Sequence, residues 1–502
     1  MKRFINIYTF LLCLFLVTSC EDDFLSTNPH DKLSEEIFWK TKEDARLSLV
    51  GVYNSLYNSS FALNTTYLSL DGMSDNAYTN NGWEGIASAI TNEMDSETKG
   101  LVTNFFGSAY KVIASCNYFL ENIENINNIE DIVKKQWIAE VLFIRAYCYY
   151  HLTEFYGDVP AAYESYEIED ENNLLSRSAK NEVVDKILGD LSIAIQDLPD
   201  KGYDDGHIVK YTAMALKAKI SMANGDYATA ATLTGDIINS GIFSLYPDYE
   251  ILFLAIGQGN DNHEILFSVR YSTNSVGLQH SGSKLWGWQR GLCTTFDLLD
   301  EYEYIGIPDN SDPYLNKDPR MKLTFYLDGD PWPYSGQGYD TFLKAFVPSP
   351  LIGSLRKYVE PGKNTVAAAN ICENDLILLR YADVLLMYAE AKNEESGPDE
   401  SVVSAINEVR NRVGMPFVVP GTKEQMRDII KHERRVELAA EGQRWLDLKR
   451  WGELEKIGNI TGADKIPNDY VFLPHNYLWP IPQDQIDYYK NHGKTLIQNP
   501  GY

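Results

Sequence analysis

Alanines and a Gly-Asp-Tyr turn recur at helical spacing between residues 211 and 241. Ala215, Ala218 and Met222 lead into Gly225-Asp226-Tyr227, and Ala230 follows. Small residues at a helix crossing let two backbones approach closely, and Gly-Asp-Tyr reads as the turn between them. This is the spacing of a tetratricopeptide-type helix pair, which buries its apolar face only by stacking on further pairs. A looser second copy spans residues 378–410: Ala382, Leu386 and Ala389, a Gly397-Pro398 break, then Val403, Ile406 and Val409. The copies are degenerate and irregularly spaced. They predict a helical scaffold carrying insertions and not a pure solenoid.

Longer helices precede the array. Ser34 reads as an N-cap with Glu35 and Glu36 in the first turn, followed by Ile37, Phe38, Ala45, Leu49 and Tyr53 at helical spacing. Residues 101–124 and 132–156 read as two strong helices. The second carries Trp137, Val141, Ile144, Ala146, Tyr149 and Leu152, and stops at Tyr156-Gly157-Asp158-Val159-Pro160. Residues 71–85 are rich in Gly, Asn and Asp and read as a loop. Across residues 245–375 helical periodicity fades, Gly, Pro, Asn and aromatics become dense, and only short β-like pieces such as Glu264–Val269 appear. Irregular stretches this long usually carry function. The predicted fold class is mainly α: a tetratricopeptide-like scaffold over about 32–244 and 376–460, with a large irregular loop-rich insertion over about 245–375.

The N-terminus predicts a route of export. Lys2 and Arg3 precede an apolar run from Phe4 to Val17, interrupted by Asn6, Tyr8 and Thr9. The run is too short to span a bilayer comfortably and reads as a signal peptide over residues 1–19. It ends in Leu16-Val17-Thr18-Ser19-Cys20, where small residues before a cysteine resemble a bacterial lipobox. Cleavage would leave Cys20 as a lipidated first residue; the alternative is an ordinary signal peptide with an incidental cysteine. Several acyl chains on one cysteine anchor a protein stably, where one would not. Residues 21–30 read as a polar tether. No later segment reaches about 18 uninterrupted apolar residues, so the expectation is an anchored chain that does not span.

Charge narrows the partners. Among 502 residues, 44 Lys and Arg face 71 Asp and Glu, a net charge of −27. Cleavage would remove Lys2 and Arg3 and no acid, making the chain more acidic still. Phosphate neutralisation drives generic nucleic-acid binding, so that class is excluded, and peripheral attraction to anionic lipid is disfavoured. Aromatics make up 12%, with 33 Tyr and 9 Trp, which suggests contact surfaces as well as core. Once Cys13 leaves with the signal and Cys20 takes lipid, Cys116, Cys148, Cys293 and Cys372 remain, with no CxxC. Cys116 and Cys148 read as buried thiols; a Cys293–Cys372 disulfide is left open.

No catalytic signature emerges. The 8 His include no HExxH, and G-x-S-x-G, Walker A and GxGxxG motifs are absent. A glycosidase needs two carboxylates about 5–10 Å apart, and 71 acids would supply such a pair by chance. Asp309-Asn310-Ser311-Asp312 lacks EF-hand spacing and reads as a solvated turn. Glu433, Arg434, Arg435, Glu437, Glu441, Arg444, Asp447 and Arg450 alternate in sign along a predicted helix. They read as i,i+3 and i,i+4 ion pairs with partly buried arginine forks. Trp445 and Trp451 are expected in the core, and Arg145 and Arg380 beside buried carboxylates.

Several stretches then carry a resemblance. They are AEVLFIRAYCYYHLTEFYGDVP (139–160), LRYADVLLMYAEA (379–391), Ala405–Arg410 with Arg412, and IKHERRVELAAEGQRWLDLKRWG (430–452). Tyr477–Pro482 and the terminal Asn499-Pro500-Gly501-Tyr502 complete the series. With the lipobox, they resemble in order the SusD/RagB family, the surface glycan-binding lipoproteins of Bacteroidetes. The resemblance implies one large tetratricopeptide-like domain over residues 20–502 and a lipid-anchored position on the outer membrane at the cell surface. It also implies a SusC-like TonB-dependent transporter as partner, over which the protein sits as a lid, with no catalysis and no cofactor.

Sugars present apolar CH faces and polar rims, so their sites combine flat aromatics with Asn, Asp, Arg or Gln. Two stretches have that chemistry: 75–83, with Asp75, Tyr78, Asn81 and Trp83, and 284–290, with Trp286, Trp288 and Arg290. The resemblance supports these two zones and not the individual residues. If extended, Trp286-Gly287-Trp288 would put both rings on one face. Trp332 and Tyr334 form a third cluster. Each tryptophan can alternatively pin its loop to the scaffold. The leading function is capture of oligosaccharide or polysaccharide and its delivery to the transporter. The alternatives are a peptide-binding RagB-type role, or a helical-repeat adaptor with no small ligand.

Overall fold

The computed structural model describes residues 39–57, 67–79, 94–98, 100–165, 174–274, 278–288, 291–309, 311–327, 330, 353–363, 366–459 and 472–502, with backbone alone at 286–288, 366–367 and 459. Ser34, Asn81, Trp83, Arg290, Trp332 and Tyr334 lie outside these residues, as do the signal peptide and Cys20.

Helices dominate, as the periodicity predicts. They are α1 (Lys42–Tyr57), α2 (Leu101–Asn122), α3 (Asp131–Tyr156), α4 (Lys180–Asp197), α5 (Lys210–Ala223) and α6 (Tyr227–Asn239). After the insertion come α7 (Tyr381–Ser396), α8 (Glu400–Arg412), α9 (Lys423–Glu437), α10 (Arg444–Trp451) and α11 (Gln483–Asn491). Consecutive helices pack on one another from α1 to α6. α6 then packs on α7, across the whole insertion, and α7 takes α8 and α9. The insertion therefore leaves the array and returns to the same place, so the two repeat-like stretches stack directly.

Local chemistry sets the boundaries. The Asp226 side chain accepts from Thr229 N at 3.0 Å and starts α6, after Gly225 turns the chain at φ +78°. Asp399 caps α8, and Thr422 with Gln425 forms a capping box on α9. The Gly397-Pro398 break falls between α7 and α8, as read from the sequence.

Every residue of α3 from Ala139 to Tyr156 is buried, so this helix runs through the interior and its polar side chains need partners. Arg145 pairs with Asp190 at 2.7 Å, Glu154 with Lys180 at 2.7 Å and Glu140 with His207 at 2.8 Å. At its end, Phe155 stacks on Trp479 with centroids 4.1 Å apart, and Trp445 leans on both. The terminal Asn499 donates to the Tyr156 and Trp479 carbonyls at 3.0 and 2.7 Å. That explains why the C-terminal motif and the end of α3 belong together.

Among the described residues, four two-stranded antiparallel ladders decorate this scaffold: β1 (Ala77–Tyr78) with β5 (Cys293–Thr294), β2 (Val159–Pro160) with β3 (Arg177–Ser178), β4 (Ile265–Val269) with β8 (Leu376–Arg380), and β6 (Phe325–Leu327) with β7 (Gly353–Leu355). The strand at 265–269 matches the β-like reading. Residues 376–380 do not continue the helical pattern of the second repeat; they pair with β4 and only then turn into α7. Cys116, Cys148, Cys293 and Cys372 are all buried free thiols. Among the described residues, no helix is long and apolar enough to cross a membrane.

The acid–arginine stretch is not one helix. α9 ends at Glu437 and α10 begins at Arg444, joined by a buried turn with Ala440 at φ +62° and Gly442 at φ +71°. A Cβ on Gly442 would approach the Tyr67 carbonyl to 2.9 Å, so glycine is required by both conformation and space. The ion pairs accordingly reach across the fold. Arg380 bonds Glu264, Glu437 and Glu441, and Arg320 bonds Asp318, Glu433 and Glu437. Arg434 bonds Asp383 and Asp447. Arg450–Asp447 is a local i,i+3 pair. Trp445 lies in the core as expected. Trp451 is half-buried at its edge, donating to Glu390 at 2.8 Å beneath the Arg450 guanidinium.

Candidate functional site

β1 and β5 bring the two sugar-like stretches together. Ala77 pairs with Thr294 and Tyr78 with Cys293, and Thr295 N donates to the Asn76 carbonyl at 3.0 Å. The chain of 80–93 leaves just after Tyr78, and residues 289–290 enter just before β5. β7 lies beside β5 through Leu355 N to the Leu292 carbonyl at 3.1 Å. β6 and β7 form the two ends of the stretch that holds Trp332 and Tyr334, with Leu327 opposite Gly353. Gly353 packs so closely on Thr294 that a Cβ would come within 2.9 Å of its methyl group. The ladders that border these stretches in the sequence are two or three residues long, roughly 7–10 Å.

This base is fixed by charge. Arg444 forms a fork on Asp75, two bonds of 2.7 Å. Arg435 donates to the Asn76 side chain at 2.9 Å, to the Asp75 carbonyl at 3.2 Å, to Asp297 at 2.6 Å and to Glu301 at 2.8 Å. α9 is thereby tied both to the residues just before β1 and to the short helix Phe296–Glu301, and α10 to those same residues. Burial opposes charge on Asp75, but Arg435 and Arg444 outweigh it and hold its carboxyl below the usual range. Asp71, also buried, is pushed up to about 6 by desolvation despite accepting from Gly442 N and the Asn76 amide. His432 bridges Glu301 and Glu303 at 3.0 and 3.4 Å.

Two sequence expectations change here. Asp75 and Tyr78 are 2% and 1% exposed; they do not sit on an open loop. Asp75 commits both carboxylate oxygens to Arg444, because a buried carboxylate without a counter-charge would be costly. Tyr78 lies in the hydrophobic cluster with β1. Both are held inside the fold at the β1–β5 ladder. The second change concerns Trp286 and Trp288. Their backbone lies in a helical turn, Ser283–Trp288, so the extended chain assumed for placing both rings on one face is not present. The Asp309 turn is closed internally by Ser311 N at 2.7 Å.

One cleft escaped the sequence reading. It has a volume of about 320 Å³ and is lined by Val50, Tyr53, Tyr57, His207, Arg270 and Leu278, among others. Its walls come from α1, the turn before α5, β4 and the segment after it. No linear pattern unites these; only Tyr53 and Tyr57 at i,i+4 gave a local hint.

The described residues therefore form a helical array with short ladders packed against it. Residues 250–502 match the model of the SusD family, and residues 23–222 match a model described as starch-binding associating with outer membrane. The chain belongs to the SusD family. SusD-like protein P2 of Formosa agariphila is 28% identical over 98% of this chain and 99% of its own length. SusD-like protein P38 of the same organism is 28% identical over 95% and 97%. A SusD-like carbohydrate-binding protein from Bacteroides fragilis shares the fold with a TM-score of 0.78 at 24% identity, covering 91% of this chain and 99% of that one. Surface glycan-binding protein A from Bacteroides thetaiotaomicron, in complex with laminarihexaose, does so with a TM-score of 0.70 at 21% identity, covering 91% and 99%.

Proposed function

We propose that this chain is a surface glycan-binding lipoprotein, held to the outer membrane by lipid on Cys20 after removal of residues 1–19. It captures oligosaccharide or polysaccharide without turnover and delivers it to a SusC-like TonB-dependent transporter. Residues 20–502 act as one binding unit. The observation that supports the reading is the β1–β5 ladder, which joins chain segments bordering two sugar-like stretches more than 200 residues apart, with the β6–β7 ladder that borders the third in sequence packed beside it. In this reading Asn81, Trp83, Trp286, Trp288, Arg290, Trp332 and Tyr334 supply the ligand contacts, and Asp75 and Tyr78 their foundation. The description of the second family model supports glycan as the ligand class, and the relative bound to laminarihexaose makes β-glucan the first polymer to try.

The test is affinity electrophoresis of residues 21–502 through gels carrying plant, host and microbial polysaccharides, laminarin included. Retardation by one polymer, lost in Trp286→Ala or Trp288→Ala with unchanged circular dichroism, supports the reading and names the substrate class. Release of reducing ends from a retarding polymer would refute binding without turnover. Absence of retardation by every polymer would refute glycan capture by the chain alone.

A further inference from the structure

The cleft between α1, β4 and the turn before α5 has the chemistry of a second, separate site. Its walls are apolar and aromatic: Val50, Tyr53, Tyr57, Phe267 and Leu278. At about 320 Å³ it falls at the small end of ligand sites and admits one six-membered ring with its substituents. The tyrosines are fixed. Tyr57 donates to the Gln279 carbonyl at 2.9 Å, and Tyr53 is held between Glu140, to which it donates, and Ile208 N, from which it accepts at 3.0 Å.

Two basic groups flank Gly206 at the rim. His207 uses Nδ1 on the buried Glu140 at 2.8 Å, which leaves Nε2 for a ligand. The bond to Glu140, stronger than the opposing effect of burial, raises the imidazole above its ordinary value. Arg270 lies directly against Gly206: a Cβ there would meet its Cδ at 2.8 Å and Nη1 at 3.1 Å. Only glycine lets the guanidinium rest there. Its nearest acid, Asp375, is 3.6 Å from Nε and already accepts from Tyr271 N at 3.0 Å and Ser268 Oγ at 3.2 Å. The acids of the rim are otherwise engaged. Asp205 is paired with Lys201 at 2.8 Å and bonded by His207 N at 3.0 Å.

We propose that this cleft binds a six-membered ring bearing a carboxylate, with the ring against Tyr53 and Tyr57 and the carboxylate on Arg270 and His207. A guanidinium beside an imidazole matches a carboxylate's two oxygens, and the apolar wall matches the ring face. The ring is either a uronate at the end of an acidic glycan or a free aromatic carboxylate. The inference does not rest on the loop site.

Calorimetric titration of the full chain with glucuronate, benzoate and glucose tests it. The expected result is saturable binding of a carboxylate and none of glucose, weakened about tenfold or more in Arg270→Gln and abolished in Leu278→Trp, which fills the mouth. Glucuronate alone binding identifies an acidic glycan end; benzoate alone identifies an aromatic acid. Failure of both carboxylates, equal binding of glucose, or unchanged affinity in Arg270→Gln overturns the proposal. So does loss of binding in Trp286→Ala/Trp288→Ala, which would place the ligand at the loops.

Discussion

The His432 bridge offers a measurable pH dependence. Its ring lies between Glu301 and Glu303, one nitrogen on each. Burial disfavours the charged imidazole, but the two carboxylates outweigh it and lift the pKa from 6.5 to about 9. A raised value means that the folded state holds the proton more tightly than the unfolded chain does. The stabilisation is complete below about pH 6.5, declines above it, and is gone once the pH has risen through about 9. That interval corresponds to ~3 kcal/mol at about 1.36 kcal/mol per unit. Glu301 and Glu303 are 38% and 42% exposed, and solvent screening reduces the expected figure to ~2 kcal/mol. The same bridge holds Glu301 and Glu303 down at about 2, so the carboxylates' own share is lost only in strong acid and does not overlap the alkaline window. Urea unfolding of wild type and His432→Gln at about pH 6 and about pH 10 measures this. Wild type should lead by ~2 kcal/mol in the acid condition and by almost nothing in the alkaline one. An identical lead at both would show that His432 contributes packing alone and would refute the electrostatic argument.

Three further outcomes are expected. Arg380→Met removes a counter-charge shared by Glu264, Glu437 and Glu441 and leaves Arg412, Arg320 and Lys357 to balance three buried acids, so its urea midpoint should fall by the equivalent of ~3 kcal/mol. A loss below about 1 kcal/mol would mean that water reaches the network. Asp75→Asn removes the charge under Arg444 and should cost ~3 kcal/mol of stability, while polysaccharide retardation of the folded fraction stays unchanged; selective loss of retardation would return Asp75 to the ligand site. Cys20→Ala should move the protein from the membrane fraction to the soluble fraction, read by detergent phase partition; continued membrane association would refute lipidation at that residue.

How much of this was legible in the sequence follows from the range of each interaction. Short-range patterns were legible. α2, α3, α5 and α6 lie where the 3.6-residue period and the turn residues put them, because capping and amphipathic spacing act within a few residues. The pairing of Arg145 and Arg380 with carboxylates was also legible, since a charge in an apolar run must find a counter-charge, although Arg380 ends strand β8 and not a helix. The identity of the partners was not. Asp190 lies 45 residues from Arg145, and Glu264 lies 116 residues from Arg380; only packing could choose them.

The same physics accounts for the misread segments. A run of alternating charges reads as one helix with local ion pairs, yet its charges pair with Asp75, Arg380 and Asp383 across the fold, and the run turns at Ala440 and Gly442. The polar stretch around Asp75 reads as a solvated loop, yet Arg435 and Arg444 satisfy it in the interior. Residues 376–380 fit a helical pattern, yet β4 offers them a ladder. The sequence by itself determined a helical array, its repeat-like pairs and the aromatic composition of its loops, because these depend on neighbours in the chain. Only long-range packing brings the β1–β5 and β6–β7 ladders side by side and sets Tyr53, His207 and Arg270 around one cleft. Those meetings depend on contacts between residues tens to hundreds of positions apart, and on which surfaces the packed helices leave open.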